Sequence, residues 1–117
     1  MGEVMIQEAR RDLETVQKEQ QRIQTEIKTI QQRQASFFQL QKQEERLYSW
    51  LVDSCAPEER IFFKDRGENS LFLAKKAQKE LHEQEEQLNK QKKTMDTKEQ
   101  EAEQLLRKEV KKGEEGN

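Results

Sequence analysis

Residues that break helices, bridge chains or carry chemistry are scarce in this sequence of 117 residues. One proline and four glycines leave few positions able to interrupt a helix. The single cysteine, Cys55, excludes an internal disulfide, and with no histidine near it in sequence to activate the thiol it reads as structural or incidental. The single histidine, His82, sits among Glu80, Glu83, Glu85 and Glu86 without a further nitrogen or sulfur ligand nearby, and reads as a solvated side chain. There is no glycine-rich phosphate loop, nucleophile elbow or metal-ligand cluster, so no enzymatic activity, cofactor or metal is expected. No apolar run reaches the length of a signal-peptide core or a membrane span, and Ile6 stands where a myristoylation motif beginning at Gly2 would need Ser or Thr. The expected compartment is the cytoplasm, without membrane insertion; export by a route that uses no cleavable signal stays open.

Apolar residues are also few, at 31%, while charged residues reach 39%. Typical soluble domains carry about 45–50% and roughly 25% respectively. Such a chain cannot fill a layered core, but it can build a thin seam between long helices whose other faces meet water. The two signs are interspersed, giving a net charge of −2. Glu14 with Lys18, Glu86 with Lys90 and Glu103 with Arg107 are acid-before-base pairs four residues apart, each adding a few tenths of a kcal/mol to a helix. No basic stripe stands clear of its own acids, so nucleic acid is not an expected partner.

Ile6, Ala9, Leu13, Val16, Gln20, Ile23, Ile27 and Ile30 follow one another at alternating steps of three and four, the a/d spacing of a coiled coil. Beyond Ile30 the apolar pattern shifts phase and reads Phe37, Leu40, Glu44, Leu47, Leu51. The second half repeats the spacing through Ala74, Ala77, Leu81, Gln84, Leu88, Gln91, Met95, Lys98, Ala102 and Leu105. The predicted fold is therefore all-α, a single coiled-coil-like antiparallel hairpin over residues 1–112, with helix 1 over about 4–53 and helix 2 over about 57–112. The turn is placed at 54–57, because Pro57 suits a first helical position and Glu58 and Glu59 suit a helix N-terminus. A turn at Gly67 would leave unequal arms and put Pro57 inside a helix, so Gly67 is instead expected to be a weak point or kink. Residues 113–117 are expected to form a flexible tail. The predicted seam comprises Leu13, Val16, Ile23, Ile27, Ile30, Phe37, Leu47, Leu51, Leu81, Leu88 and Met95.

All seven aromatic residues fall between positions 37 and 72. Phe37 beside Phe38, Trp50-Leu51-Val52, Ile61-Phe62-Phe63 and Leu71-Phe72-Leu73 place apolar side chains on several helix faces at once. Two helices alone cannot bury adjacent residues on opposite faces. Either the helices splay to make a local core, or part of the set meets a partner. The second reading assigns Phe38, Trp50, Phe62, Phe63 and Phe72 to partner binding, since aromatics anchor interfaces.

The pattern Phe37-Phe38, Glu45-Arg46-Leu47, Trp50, Arg60-Ile61-Phe62-Phe63 and the Glu86 to Leu88 run resembles the LXG-associated α-helical (Lap) proteins, small helical proteins encoded beside LXG-domain toxins in Firmicutes. The resemblance implies a WXG-like hairpin acting as a chaperone and targeting factor. It would bind the helical LXG domain of a toxin, beside a second small helical protein, and deliver it to type VII secretion, with co-export of the complex. The pattern departs from that family's export signals. Trp50-Leu51-Val52 is not a Trp-x-Gly turn, and Phe62 and Phe63 are followed four residues on by Arg66 and Gly67 rather than an acid. The resemblance thus implies the partner that lacks the export signal. Two alternatives stand beside it: the rod-like stalk protein of a flagellar or type III export ATPase, and a structural coiled-coil segment. Without its partner, the chain is expected to pair weakly with itself.

Overall fold

A computed structural model describes residues 2–115. Two helices account for nearly all of them: α1 over Gly2–Ser54 and α2 over Arg60–Glu115, joined through a single 3₁₀ turn at Pro57–Glu59. They pack against each other as an all-α helical hairpin, with no strand among the described residues. Cys55 closes α1 by donating its N–H to the Leu51 carbonyl at 2.9 Å. Ala56 then adopts φ −62°, ψ 146°, the extended conformation that the following proline imposes. Pro57 opens the next turn, where its missing N–H would have had no acceptor, and the Glu59 N–H returns to the Ala56 carbonyl at 2.9 Å. α2 starts at Arg60 rather than Pro57, because the first turn is wound as 3₁₀. At its other end α2 runs through Gly113 to Glu115, so residues 113–115 are helix rather than the expected tail. The remainder of that tail, residues 116–117, lies outside the described residues.

The chain divides into two compact units, each a pair of antiparallel helical segments. The first pairs residues 2–27 with 87–115. Its α1 face follows the expected series from Ile6 to Ile27, with Ile23 only 1% exposed and Ala9 buried. A Cβ added at Gly113 would lie 3.9 Å from Ile6 Cδ1, which brings the end of α2 beside the start of α1. On α2 the half-buried positions include Leu88, Lys92, Met95, Glu99, Ala102, Leu106 and Glu109, with Glu103 and Val110 beside them. This corrects the expected series, in which Gln91, Lys98 and Leu105 shared the seam; all three are exposed. The register moves because α2 steps four residues from Leu81 to Glu85, not three to Gln84. A four-residue insertion of this kind offsets the mismatch between 3.6 residues per turn and a strict heptad. Lys92, Glu99 and Glu109 fit a seam edge because their methylene stems cover apolar surface while their heads reach water. The Gln20 amide donates to Asp96 at 3.0 Å, and Arg22 bonds both Glu19 and Glu26 along the exposed face of α1. That hydrogen bond from Arg22 holds the Glu19 carboxyl below its ordinary range.

The second unit comprises residues 28–86. Here the heptad on α1 does not shift phase. Ile30, Gln34, Phe37, Gln41, Tyr48, Leu51 and Cys55 are all buried or half-buried, in unbroken register with one another. Leu40 and Leu47, expected inside, are exposed, Leu47 by 53%. The facing positions on α2 are Phe63, Gly67, Ser70, Ala74, Ala77, Leu81 and Glu85. Gln78 donates to the Gln41 side chain across the pair at 2.6 Å, satisfying two amides that a wholly apolar seam would have excluded. Gly67 is not a break in α2: a Cβ there would sit 3.3 Å from Tyr48 Cβ, so the missing side chain makes room for the tyrosine. Cys55 is half-buried, with its thiol directed to the Val52 carbonyl at 3.6 Å.

Three stability outcomes follow from this register. Gly67→Val should lower the melting temperature by overpacking against Tyr48, a cost of about 1–3 kcal/mol. Gly67→Ala should stay within about 1 kcal/mol of the parent, since the gain in helix propensity opposes the tight contact. Leu47→Gln should move a thermal melt by no more than about 0.5 kcal/mol, as at other exposed sites. If Leu47→Gln proved as disruptive as Leu51→Gln, the unshifted heptad would be wrong.

Candidate functional site

Ordinary helix pairs put large apolar residues inside and polar residues outside. The second unit reverses this over much of its length. Its inward positions include Gln34, Gln41, Tyr48, Gly67 and Ser70, while Phe38, Leu40, Leu47, Trp50, Ile61, Phe62, Phe72 and Leu73 are all exposed by half or more. Trp50 is 63% exposed and Phe72 67%. Phe37 is half-buried, as is Leu51, whereas their neighbours Phe38 and Trp50 face outward. Residues one apart on a helix differ by about 100° in direction, so one seam cannot take both.

The exposed residues are not scattered at random. A shallow groove of about 460 Å³ lies between the two segments, lined in part by Phe37, Glu44 and Tyr48 of α1 and by Arg66, Ser70 and Leu73 of α2. Leu40 and Leu47 stand three residues beyond Phe37 and Glu44 on α1, so these side chains continue round the helix to the same flank. Trp50, three beyond Leu47, turns about 60° further and reaches the outer face of α1. On α2, Phe62 stands four residues before Arg66, whose guanidinium lies 4.9 Å from the Phe62 ring centroid. This flank thus carries Leu40, Leu47, Phe62 and Leu73 around Arg66, with Trp50 beyond its outer edge. Five side chains more than half open to water amount to an apolar surface of roughly 500 Å², at the upper end of what a monomeric protein exposes. Phe72 is on the outer face of α2.

Two of the aromatics assigned to partner binding stand elsewhere. Phe38 is on the opposite flank, with the Lys42 ammonium 4.6 Å from its ring centroid. Phe63 is half-buried on the inner face of α2, its ring edge-to-face with Phe62 at 5.3 Å. Phe63 therefore belongs to the seam, because it is four residues before Gly67 in the inward series. The sequence reading also passed over Leu40, Leu47 and Leu73 as contact residues. The unbroken heptad from Ile23 to Cys55 would have placed Leu40 and Leu47 outside, had Gln34, Gln41 and Tyr48 been accepted as seam residues.

The rest of the surface offers little for chemistry. His82 reaches Glu86 at 3.1 Å, one turn along the exposed face of α2. Among the described residues no group of His, Cys, Asp and Glu could hold a metal ion, and no helix is long and apolar enough to cross a membrane. Comparison with protein families, curated proteins and solved structures finds no match.

Alanine substitutions separate the inner from the outer aromatics. Phe37→Ala should destabilise the free protein by about 2 kcal/mol, part of the 3–5 kcal/mol typical of a fully buried phenylalanine. Trp50→Ala and Phe72→Ala should leave its thermal melt within about 0.5 kcal/mol of the parent. Equal losses for all three would mean that the outer aromatics form a core.

Proposed function

We propose that this chain is a non-enzymatic helical adaptor that docks a helical partner on the exposed apolar flank of its second unit. One observation carries the reading: over residues 34–73 large apolar side chains lie outside the seam while glutamine, glycine and serine occupy positions inside it. A spacer rod has no use for that inversion. A helix laid along the Phe37–Leu73 groove would cover Leu40, Leu47 and Phe62 and reach the edge of Trp50, following the helix-in-groove mode of recognition.

The resemblance to Lap proteins supplies the partner's identity. The cargo is the helical LXG domain of a toxin, bound beside a second small helical protein and targeted as a complex to type VII secretion from the cytoplasm. The polar and thin seam agrees with a chain whose packing is completed on binding. Among the described residues, only Ala9, Ile23, Ile30 and Ala74 are buried hydrophobics.

Purification from the producing organism, with mass spectrometry of the co-purifying proteins, tests this reading. An LXG-domain toxin in the complex supports it; a subunit of a flagellar or type III export ATPase would replace it with the stalk alternative. With the toxin domain in hand, Trp50→Ala and Phe62→Ala should each weaken binding by about 2 kcal/mol, close to 30-fold, as interface anchors do. Saturating toxin domain should also raise the melting temperature, because a ligand specific for the folded state stabilises it. The melt is best repeated across protein concentrations, since self-pairing would give a similar rise.

A further inference from the structure

The flank opposite Leu40 and Leu47 holds a second groove, larger than the first and of different character. It has a volume of about 570 Å³ and runs between α1 and α2 from Gln41 to Asp53. Twelve residues of helix extend about 18 Å, or three turns. Its floor is apolar, made by Tyr48 and Val52 of α1 and by Phe63 and Leu71 of α2, all half-buried. The groove exists because the inward residues of α2 opposite Tyr48 are Gly67 and Ser70, too small to fill the space.

The rim is what distinguishes it. Glu44, Glu45, Asp53 and Glu68 line the groove against a single base, Lys64. Four acids and one base give a local charge of −3, larger than the −2 of the entire chain. Elsewhere the acids are interspersed with bases; here they gather around an apolar slot. None of these five residues forms an ion pair among the described residues; Glu45 accepts only a long hydrogen bond of 3.3 Å from the Gln41 amide.

We propose that this groove binds a basic amphipathic helix from another protein, seating an apolar side chain between Tyr48, Val52, Phe63 and Leu71 and placing Lys or Arg against Glu44, Glu45 and Glu68. Charge complementarity selects the occupant. A second copy of this chain related by two-fold symmetry would bring acidic rim to acidic rim, which like-charge repulsion disfavours. Nucleic acid and anionic lipid are repelled for the same reason. The two grooves share Glu44, Tyr48 and Ser70 at the seam, but Glu45, Val52, Asp53, Phe63, Glu68 and Leu71 line only this one, so the inference does not rest on the docking face proposed above.

The chain contains one tyrosine, Tyr48, which borders both grooves, and one tryptophan, Trp50, which lines neither. Variants confined to one groove, Glu68→Gln for the second and Leu73→Gln for the first, tell the two grooves apart. The full-length protein, labelled with 3-fluorotyrosine and 5-fluorotryptophan, should be titrated by fluorine NMR with synthetic helical peptides of about three heptads. One peptide carries a leucine stripe flanked by Lys; the second has the same stripe flanked by Glu. The Lys-flanked peptide should shift the Tyr48 resonance saturably and leave Trp50 unmoved. It should bind at least about 10-fold more tightly than the Glu-flanked peptide and weaken as salt rises. The triple variant Glu44→Gln, Glu45→Gln, Glu68→Gln should lose about 10-fold in affinity at unchanged helix content by circular dichroism. Comparable binding of the two peptides would overturn the charge assignment. Binding that survives the triple variant and is lost in Leu73→Gln, a residue of the first groove alone, would overturn the site. A Tyr48 resonance that moves with protein concentration alone, or a shift produced by phosphatidylglycerol vesicles and not by the Lys-flanked peptide, would give the groove a different occupant and also overturn the proposal.

Discussion

Two helices packed side by side share one line of contact, and everything else about this protein depends on which residues are spent on that line. A helix presents about two positions in seven to a single partner, so a pair can bury only the a and d residues while the remaining five stay wet. With hydrophobic residues at 31% there is enough apolar material for such a seam and little more. The consequence is a core of one residue's width, in which Ile23 and Ile30 are buried and most other contacts are half-open. Stability must then come from many small contributions: helix propensity, edge packing by long charged side chains, and occasional cross-seam hydrogen bonds such as Gln78 to Gln41.

Against that scarcity, the distribution of apolar residues in the second unit is informative. Leucine at positions 41 or 48 would have strengthened the seam, yet glutamine and tyrosine stand there, and leucines stand one residue earlier at 40 and 47. A displacement of one residue turns a side chain through about 100°, which is the difference between packing on the neighbouring helix and facing outward. The same displacement recurs at Phe72 and Leu73 beside Ala74. Apolar side chains kept outside cost solubility and contribute nothing to the isolated pair. They become useful once a further helix is laid over them, which is the physical basis for the proposed adaptor role.

The two flanks of this unit differ in what they would recognise. One gathers Leu40, Leu47, Phe62 and Leu73 around a guanidinium stacked on an aromatic ring; the other sinks an apolar floor behind a carboxylate rim. Ser70 and Tyr48 line both grooves, whereas Gly67 lines only the acidic one. A glycine in the middle of a long helix costs roughly 1 kcal/mol relative to alanine. Here the cost coincides with a close approach of the α2 backbone to Tyr48 of α1, and with the room that opens in the acidic groove.

The sequence by itself determined the all-α class, the two long helices and the turn after Ser54. These rest on local chemistry: few helix breakers, sustained three-four spacing, and a proline tolerated only at a helix start. It also located the unusual region, because seven aromatics within residues 37–72 exceed what a two-helix seam can use. What it did not determine was the rotation of each helix about its own axis. Hydrophobicity alone favoured Leu40 and Leu47 over Gln41 and Tyr48, and the α2 series through Gln84, Gln91 and Lys98 over the one through Glu85, Lys92 and Glu99. Nor did it reveal that Phe63 turns inward. Both registers satisfy the spacing rule within one helix. Choosing between them needs the facing helix, since only there does Gly67 admit Tyr48 and Gln78 satisfy Gln41. The acidic rim likewise joins carboxylates from both helices, Glu44 and Glu45 with Glu68, which come together through packing and not through proximity in the chain.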